Sequence, residues 1–140
     1  MLVRLPETDA RQMLQSGGVA RLGCILNGEP YIVPINYYLE DNFAYSHSLP
    51  GLKIDALRSN PHACLQRDDL EESFRWRSVL AFGKYEEIRD TEDREFILGK
   101  LLSRFPMLTP VESAIAEDGS PPSVIVFRIR IERISGVAES

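Results

Sequence analysis

Apolar and polar positions alternate with a period of two over most of this chain, and with a helical period in three windows. The first helical window is Pro6–Ser16, where Ala10, Met13 and Leu14 share a face and Gly17-Gly18 supplies a left-handed stop. Val19–Leu26 then reads as a strand. Asn27-Gly28 follows, and both residues tolerate the positive φ that a type I′ hairpin demands. Tyr31–Leu39 is the returning strand. Pro34 lies inside it; proline offers no ladder donor, so it marks an edge, a bulge or a special contact. Glu40-Asp41-Asn42 makes a second turn and Phe43–His47 a third strand, which completes an antiparallel meander.

Pro50–Ser59 is the second helical window. Leu49, Leu52, Ala56 and Leu57 form one stripe, and Asn60-Pro61 stops the helix. His62–Gln66 reads as a strand and "RDDLEES" as an acidic loop. Phe74–Ile88 is a long strand. Phe74, Trp76, Ser78, Leu80 and Phe82 lie on one side, with Arg75, Arg77, Val79, Ala81 and Gly83 on the other. Asp90 or Thr91 opens a third helix with Glu92 and Asp93 in its first turn, favourable at the positive end of the dipole. That helix runs to about Arg104 with Phe96, Ile97, Leu101 and Leu102 directed inward. A proline-rich loop, "PMLTPVESAIAEDGSPP", leads to a last strand over Ser123–Ile134.

About six strands, mostly joined by hairpins, with two or three short helices predict a mainly β protein. A small antiparallel barrel fits better than a parallel α/β sheet. With 140 residues and no linker or repeat, the expectation is one domain over 1–140.

Composition narrows the function. The chain is 44% hydrophobic and 26% charged with a net charge of −5, which argues against general nucleic-acid binding, since that needs basic surface. No apolar run approaches the roughly 20 residues that span a bilayer, and "MLVRLPETDA" lacks a signal-peptide apolar region. The expectation is a cytoplasmic protein with no membrane partner. Cys24 and Cys64 sit in strand-like surroundings without CxxC spacing, which reads as two reduced, buried small hydrophobes. With two histidines besides, no metal site is expected.

The chemistry concentrates in "SHSLPGLK". His47, Ser48 and Lys53 crowd the start of the second helix. A helix N-terminus offers free N–H groups and partial positive charge, so it attracts anions. Ser48 could cap the helix or donate to a ligand. Pro50 suits the first turn. Lys53 leans back toward the N-terminus. These features sketch a small phosphate pocket. A capped surface helix with a solvated lysine accounts for the same residues.

Several motifs in fixed order are distinctive together: the Val-Pro strand "PYIVPINYY", Tyr45-x-His47-Ser48, Gly51-x-Lys53-x-x-x-Leu57, Asn60-Pro61, then Trp76-Arg77-Ser78-Val79 with Gly83 four residues on. Across roughly Gly17–Asp90 the chain resembles the pyridoxamine 5′-phosphate oxidase-like family of FMN-binding split barrels. It is closer to the branch of nitroimidazole-resistance reductases than to the biosynthetic oxidase. The resemblance implies a six-stranded split barrel, a homodimer and FMN between the subunits. It also implies cofactor-binding roles. Val33, Pro34, Ile35 and Asn36 would lie along the flavin ring. Ser46, His47, Ser48 and Lys53 would surround the phosphate and ribityl chain. Arg77, Ser78 and Val79 would approach from a neighbouring strand. The oxidase's C-terminal substrate segment, with its paired arginine and histidine, is missing, and the chain closes instead on "RIERISGVAES".

The expected function is transfer of a hydride from reduced FMN to a small acceptor in a dimer cleft, with a nicotinamide as candidate electron donor. No catalytic side chain stands out, and a flavin enzyme needs none, because the cofactor carries the redox chemistry. The alternatives are a flavin carrier or regulatory module without turnover, and a haem-binding relative with His47 on the iron.

Overall fold

A computed structural model describes residues 1–105 and 124–140. The expected proline-rich loop therefore falls wholly outside the described residues.

The elements follow in the order β1 (Leu2–Arg4), α1 (Glu7–Gln15), β2 (Gly18–Leu26), β3 (Glu29–Glu40), β4 (Phe43–Ser48), α2 (Leu52–Ser59), β5 (His62–Glu72), β6 (Arg75–Glu87), α3 (Thr91–Arg104) and β7 (Ile125–Glu139). All strand pairs are antiparallel. The sheet order is β1-β7-β4-β3-β2-β5-β6, and a further β6–β7 pairing closes β2–β7 into a six-stranded barrel with β1 appended to β7. The turn residues act as expected: Asn27 and Gly28 have φ of 51° and 80°, and the β2–β3 register runs unbroken from Leu26↔Glu29 to Gly18↔Tyr37.

The core is the barrel interior. Leu22, Leu65, Val79, Ala81, Phe127 and Ile129 converge in it, and α2 plugs one end with Ile54 and Leu57. At the other end α1 buries Ala10, Met13 and Leu14. There the Tyr37 hydroxyl donates a 2.6 Å bond to the Leu14 carbonyl, and the Arg67 guanidinium donates to Gly17 O. A second cluster lies outside the barrel wall, where Ile97 and Leu101 of α3 cover Tyr38 and Val126. This cover shields the outer face of β3, β4 and β7. The outer face of β2, β5 and β6 carries no helix among the described residues.

Several expectations need correction. "RDDLEE" is not a loop, because β5 continues to Glu72 opposite β6. Its acidic residues meet cross-strand arginines there, Asp69 with Arg77 at 2.6 Å and Glu71 with Arg75 at 3.6 Å. β1 was not anticipated; three residues carry too little period to signal a strand. Helix α2 begins at Leu52, two residues later than expected. Its buried stripe is therefore Ile54, Ala56 and Leu57, and Leu52 is exposed. Of the four α3 residues expected inward, only Ile97 and Leu101 are buried. Phe96 faces solvent beneath the Lys100 ammonium, 4.6 Å from its ring centroid, and Leu102 is exposed. Trp76 stands half-buried on the outer face.

The β6–β7 ladder contains a bulge. Phe82 pairs with Arg133 and Gly83 with Ile131, which leaves Glu132 as an extra residue. Gly83 is required there, since a Cβ on it would stand 2.1 Å from the Arg130 carbonyl oxygen. Below the bulge Phe127, Ile129 and Ile131 point inward; above it Gly136 does.

Candidate flavin site at the split in the barrel

The β3–β4 ladder is short. It holds at Glu40↔Phe43, Leu39↔Ala44 and Tyr38↔Tyr45, and then it stops. Beyond that point β3 stays with β2, while β4 stays with β7 as far as Ser48↔Ile125. The barrel wall is therefore split between Val33–Asn36 on one side and Ser46–Ser48 on the other. A side-chain bond crosses near the fork: Ser46 Oγ, only 2% exposed, donates to the Asn36 carbonyl at 2.6 Å. The Asn36 carbonyl thus points toward β4. Backbone direction repeats every second residue along a strand, so the Pro34 carbonyl is shown to the same gap.

The split gathers the two main groups of expected site residues. Pro34 and Asn36 are exposed on the outer face, opposite Arg21 and Val19 of β2. Val33 and Ile35 point the other way. Val33 packs against the core and Ile35 belongs to it, and by the same alternation their N–H and C=O groups turn toward β2. Across the gap, His47 is half-buried on the outer face. Ser48 is not the helix cap. Its hydroxyl donates to the Leu49 carbonyl at 2.8 Å, and the residue before α2 is Gly51, with no side-chain cap. Lys53 is consequently in the first turn of α2. It is half-buried and lies close enough to the Cys24 thiol to draw its pKa down, against a larger rise from burial. The first hydrogen bond of that helix end is Asp55 N–H to Gly51 O, so the N–H groups of Leu52, Lys53 and Ile54 are those an N-terminus leaves for a partner.

The third group is placed elsewhere. Arg77, Ser78 and Val79 are on β6, with β2 and β5 between them and β3, about 14 Å away at ordinary strand spacing. Consecutive residues alternate faces. Val79 is fully buried in the core, which leaves its side chain no route to a ligand. Arg77 is ion-paired with Asp69 at the α1 end of the barrel. Only Ser78 faces outward, on the same face as Pro34.

The ground between Pro34 and Ser78 holds residues not expected from sequence. Arg21 Nη1 donates to Gln66 Oε1 and to Asp68 Oδ2, both at 3.0 Å. Gln66 Nε2 donates to Asp68 Oδ2 and to Ser78 Oγ, again at 3.0 Å. Around this polar island the outer face is apolar, with Val19 61% and Ile32 66% exposed and a groove of about 600 Å³ lined in part by Ile25, Ile32, Cys64 and Phe82. The signal was present in "RLG" and "LQRD": period two puts Arg21 and Gln66 on the face that Leu22 and Leu65 avoid.

The donor set suits a flavin nucleotide. An unpaired strand edge offers alternating carbonyl and N–H groups, which match the donor and acceptor edge of a flavin ring. A lysine in the first turn of a helix suits a phosphate. Among the described residues there is no cluster of His, Cys, Asp or Glu that could hold a metal ion, and no helix is long and apolar enough to cross a membrane.

Comparisons agree with this chemistry. The sequence model of the pyridoxamine 5′-phosphate oxidase family matches residues 6–138. An uncharacterised protein of Rhizobium meliloti is 40% identical over 93 residues, 66% of this chain and 62% of that protein, so the match spans less than two thirds of its length. The crystal structure of an FAD-binding protein from Mesorhizobium loti superposes with a TM-score of 0.79 at 29% identity, covering 100% of this chain and 99% of that one. A 5-nitroimidazole antibiotic resistance protein from Bacteroides thetaiotaomicron shares the fold at 21% identity and a TM-score of 0.75, covering 99% and 87%.

Proposed function

The chain belongs to the pyridoxamine 5′-phosphate oxidase family of flavin-binding split barrels, and on that premise we propose that it binds FMN at the split and passes a hydride to a small acceptor. The observation that carries the reading is the interrupted β3–β4 ladder. It leaves the edge of Val33–Asn36 open beside Ser46, His47, Ser48 and Lys53.

In this reading the chain's residues bind and orient. The open edge at Pro34 and Asn36 takes the ring through backbone groups. Lys53 and the first N–H groups of α2 take the phosphate. Ser46 fixes the fork by holding the Asn36 carbonyl. Bound flavin supplies the two-electron chemistry, while the protein supplies position and electrostatics. Ser78 is too far along the sheet to join the same ring edge within one protomer. A second copy packed on the apolar outer face of β2, β5 and β6 would bring its own Ser78 to the flavin and complete a two-subunit site.

The test is the absorption spectrum and mass of what co-purifies, followed by titration with FMN, FAD and riboflavin. A flavin spectrum with FMN preferred supports the proposal. FAD preferred over FMN moves the site toward the Mesorhizobium relative's ligand. A haem Soret band, or no uptake of any flavin, overturns it. Anaerobic reduction by a nicotinamide and reoxidation by nitroaromatic acceptors then separates an enzyme from a carrier.

A further inference from the structure

Gln66 is held between opposite charges. On one side its Oε1 accepts from the Arg21 guanidinium, and on the other its Nε2 donates to the Asp68 carboxylate. Flipping the amide would set Oε1 against Asp68 and the NH₂ against Arg21, so the two charges fix its orientation. The second Nε2 hydrogen therefore goes to Ser78 Oγ, which must accept it. Among the described residues no other side chain bonds that hydroxyl. Its own hydrogen is left to point out from β6, on the half-buried outer face.

We propose that Arg21, Gln66 and Asp68 form a relay that fixes the Ser78 hydroxyl as a donor to an acceptor atom of the flavin ring held at the split of the second copy, with Gln66 as the positioning residue. The inference rests on the flavoprotein reading above and adds to it a control of redox potential. A reduced flavin is richer in electrons than an oxidised one, so a preorganised donor at its ring stabilises the reduced form more. Arg21 sets the direction of the chain: its bond to Gln66 and that from Gln66 to Ser78 run from the guanidinium toward the cofactor, while Asp68 accepts from both Arg21 and Gln66 and holds the amide in place.

Gln66→Glu is the sharp test because it keeps the size and reverses the chemistry. A carboxylate cannot donate to Ser78, so the serine turns inward to donate to it. Ser78→Ala removes the donor outright. The midpoint potential of bound FMN should fall in both variants by about 30 mV, which is about a tenfold lower preference for reduced over oxidised flavin in a two-electron couple. The double variant should show no further fall. An equal fall on adding Gln66→Glu to Ser78→Ala would mean that the new charge acts through space, and would overturn the relay. Gln66→Met, which is neutral, covers the case in which the glutamate variant does not fold: a lower potential supports the relay and an unchanged one overturns it. A flavin-bound parent whose potential ignores Ser78→Ala also overturns the relay alone. A parent that takes up neither FMN nor FAD overturns the flavoprotein reading and the relay with it.

Discussion

Ser46 Oγ reaches across the fork to the Asn36 carbonyl at 2.6 Å, and that bond ties two strands that have already stopped pairing. Removing it should be felt twice. Ser46→Ala leaves the Asn36 carbonyl without its donor beside a buried methyl group, at a cost of about 1–3 kcal/mol in urea unfolding. It should also loosen the ring-binding edge. A variant as stable as the parent would show that the bond holds nothing in place.

Lys53 should matter for the phosphate and not for the ring. Lys53→Ala removes a charge-assisted contact and should weaken FMN by roughly 10- to 150-fold, while riboflavin affinity barely changes. Fluorescence-quenching titrations with both ligands decide it. Equal losses point to a folding defect, and no loss returns the lysine to an ordinary helix surface.

The protein should be a homodimer through the bare outer face of β2, β5 and β6. Ile32, 66% exposed beside the apolar groove, is the natural probe. Ile32→Glu would place a charge in an interface of about 2,000 Å² or more, and light scattering should then report a monomer. A parent that is monomeric at micromolar concentration would refute both the interface and the two-subunit site.

Gly83→Ala should be among the most damaging small substitutions. The added carbon would meet the Arg130 carbonyl oxygen at 2.1 Å, and neither backbone can retreat inside a closed barrel. The expected loss is about 3 kcal/mol or more. Gly99, on exposed α3 with open space around it, is the control. Gly99→Ala should stabilise by about 0.5–1 kcal/mol. Thermal melts of the two variants should shift in opposite directions.

Glu87 ties α2 to the end of β6. Arg58 grips both its oxygens, at 2.8 and 3.1 Å, and the Tyr85 hydroxyl donates at 2.6 Å. The hydrogen bonds from Arg58 lead in holding its pKa down to about 2 from 4.5, against a smaller rise from burial. A depressed folded-state value stabilises the fold above the unfolded pKa and loses that effect as pH falls through the folded one. Glu87→Gln should therefore be less stable than the parent at pH 6, with the gap closing between about pH 4.5 and 2. A gap independent of pH would contradict the assignment.

How far the molecule can be read from its sequence depends on how local each cause is. Asn27-Gly28 and the stripe of Ala10, Met13 and Leu14 act within a few residues, and both appear where expected. The barrel and its family were legible from motif order, as were Pro34 and Asn36 at the open edge. The reach of β5 was not legible. Asp68 and Asp69 look like loop residues until Arg21 and Arg77 come from other strands to pair with them. The resemblance names Arg77, Ser78 and Val79 together, whereas the pleat sends Ser78 and Val79 to opposite faces and buries the Val79 side chain. Leu52 was misplaced because Gly51, not Ser48, opens α2.

The extra residue at Glu132 changes the frame of a two-letter alphabet. Before it, β7 writes inward on Phe127, Ile129 and Ile131; after it, on Ile134, Gly136 and Ala138. The second frame gives α1 its seat, since Gly136 offers the bare backbone that Ala10 and Leu5 crowd against. Were Glu132 paired like its neighbours, the ladder would be regular and the text beyond it wrong. Arg133, Ser135 and Val137 would be spelled into the barrel, and the first helix would meet side chains where it now finds a glycine. The irregularity is a punctuation mark: it lets one continuous strand serve the barrel below it and the N-terminal helix above it.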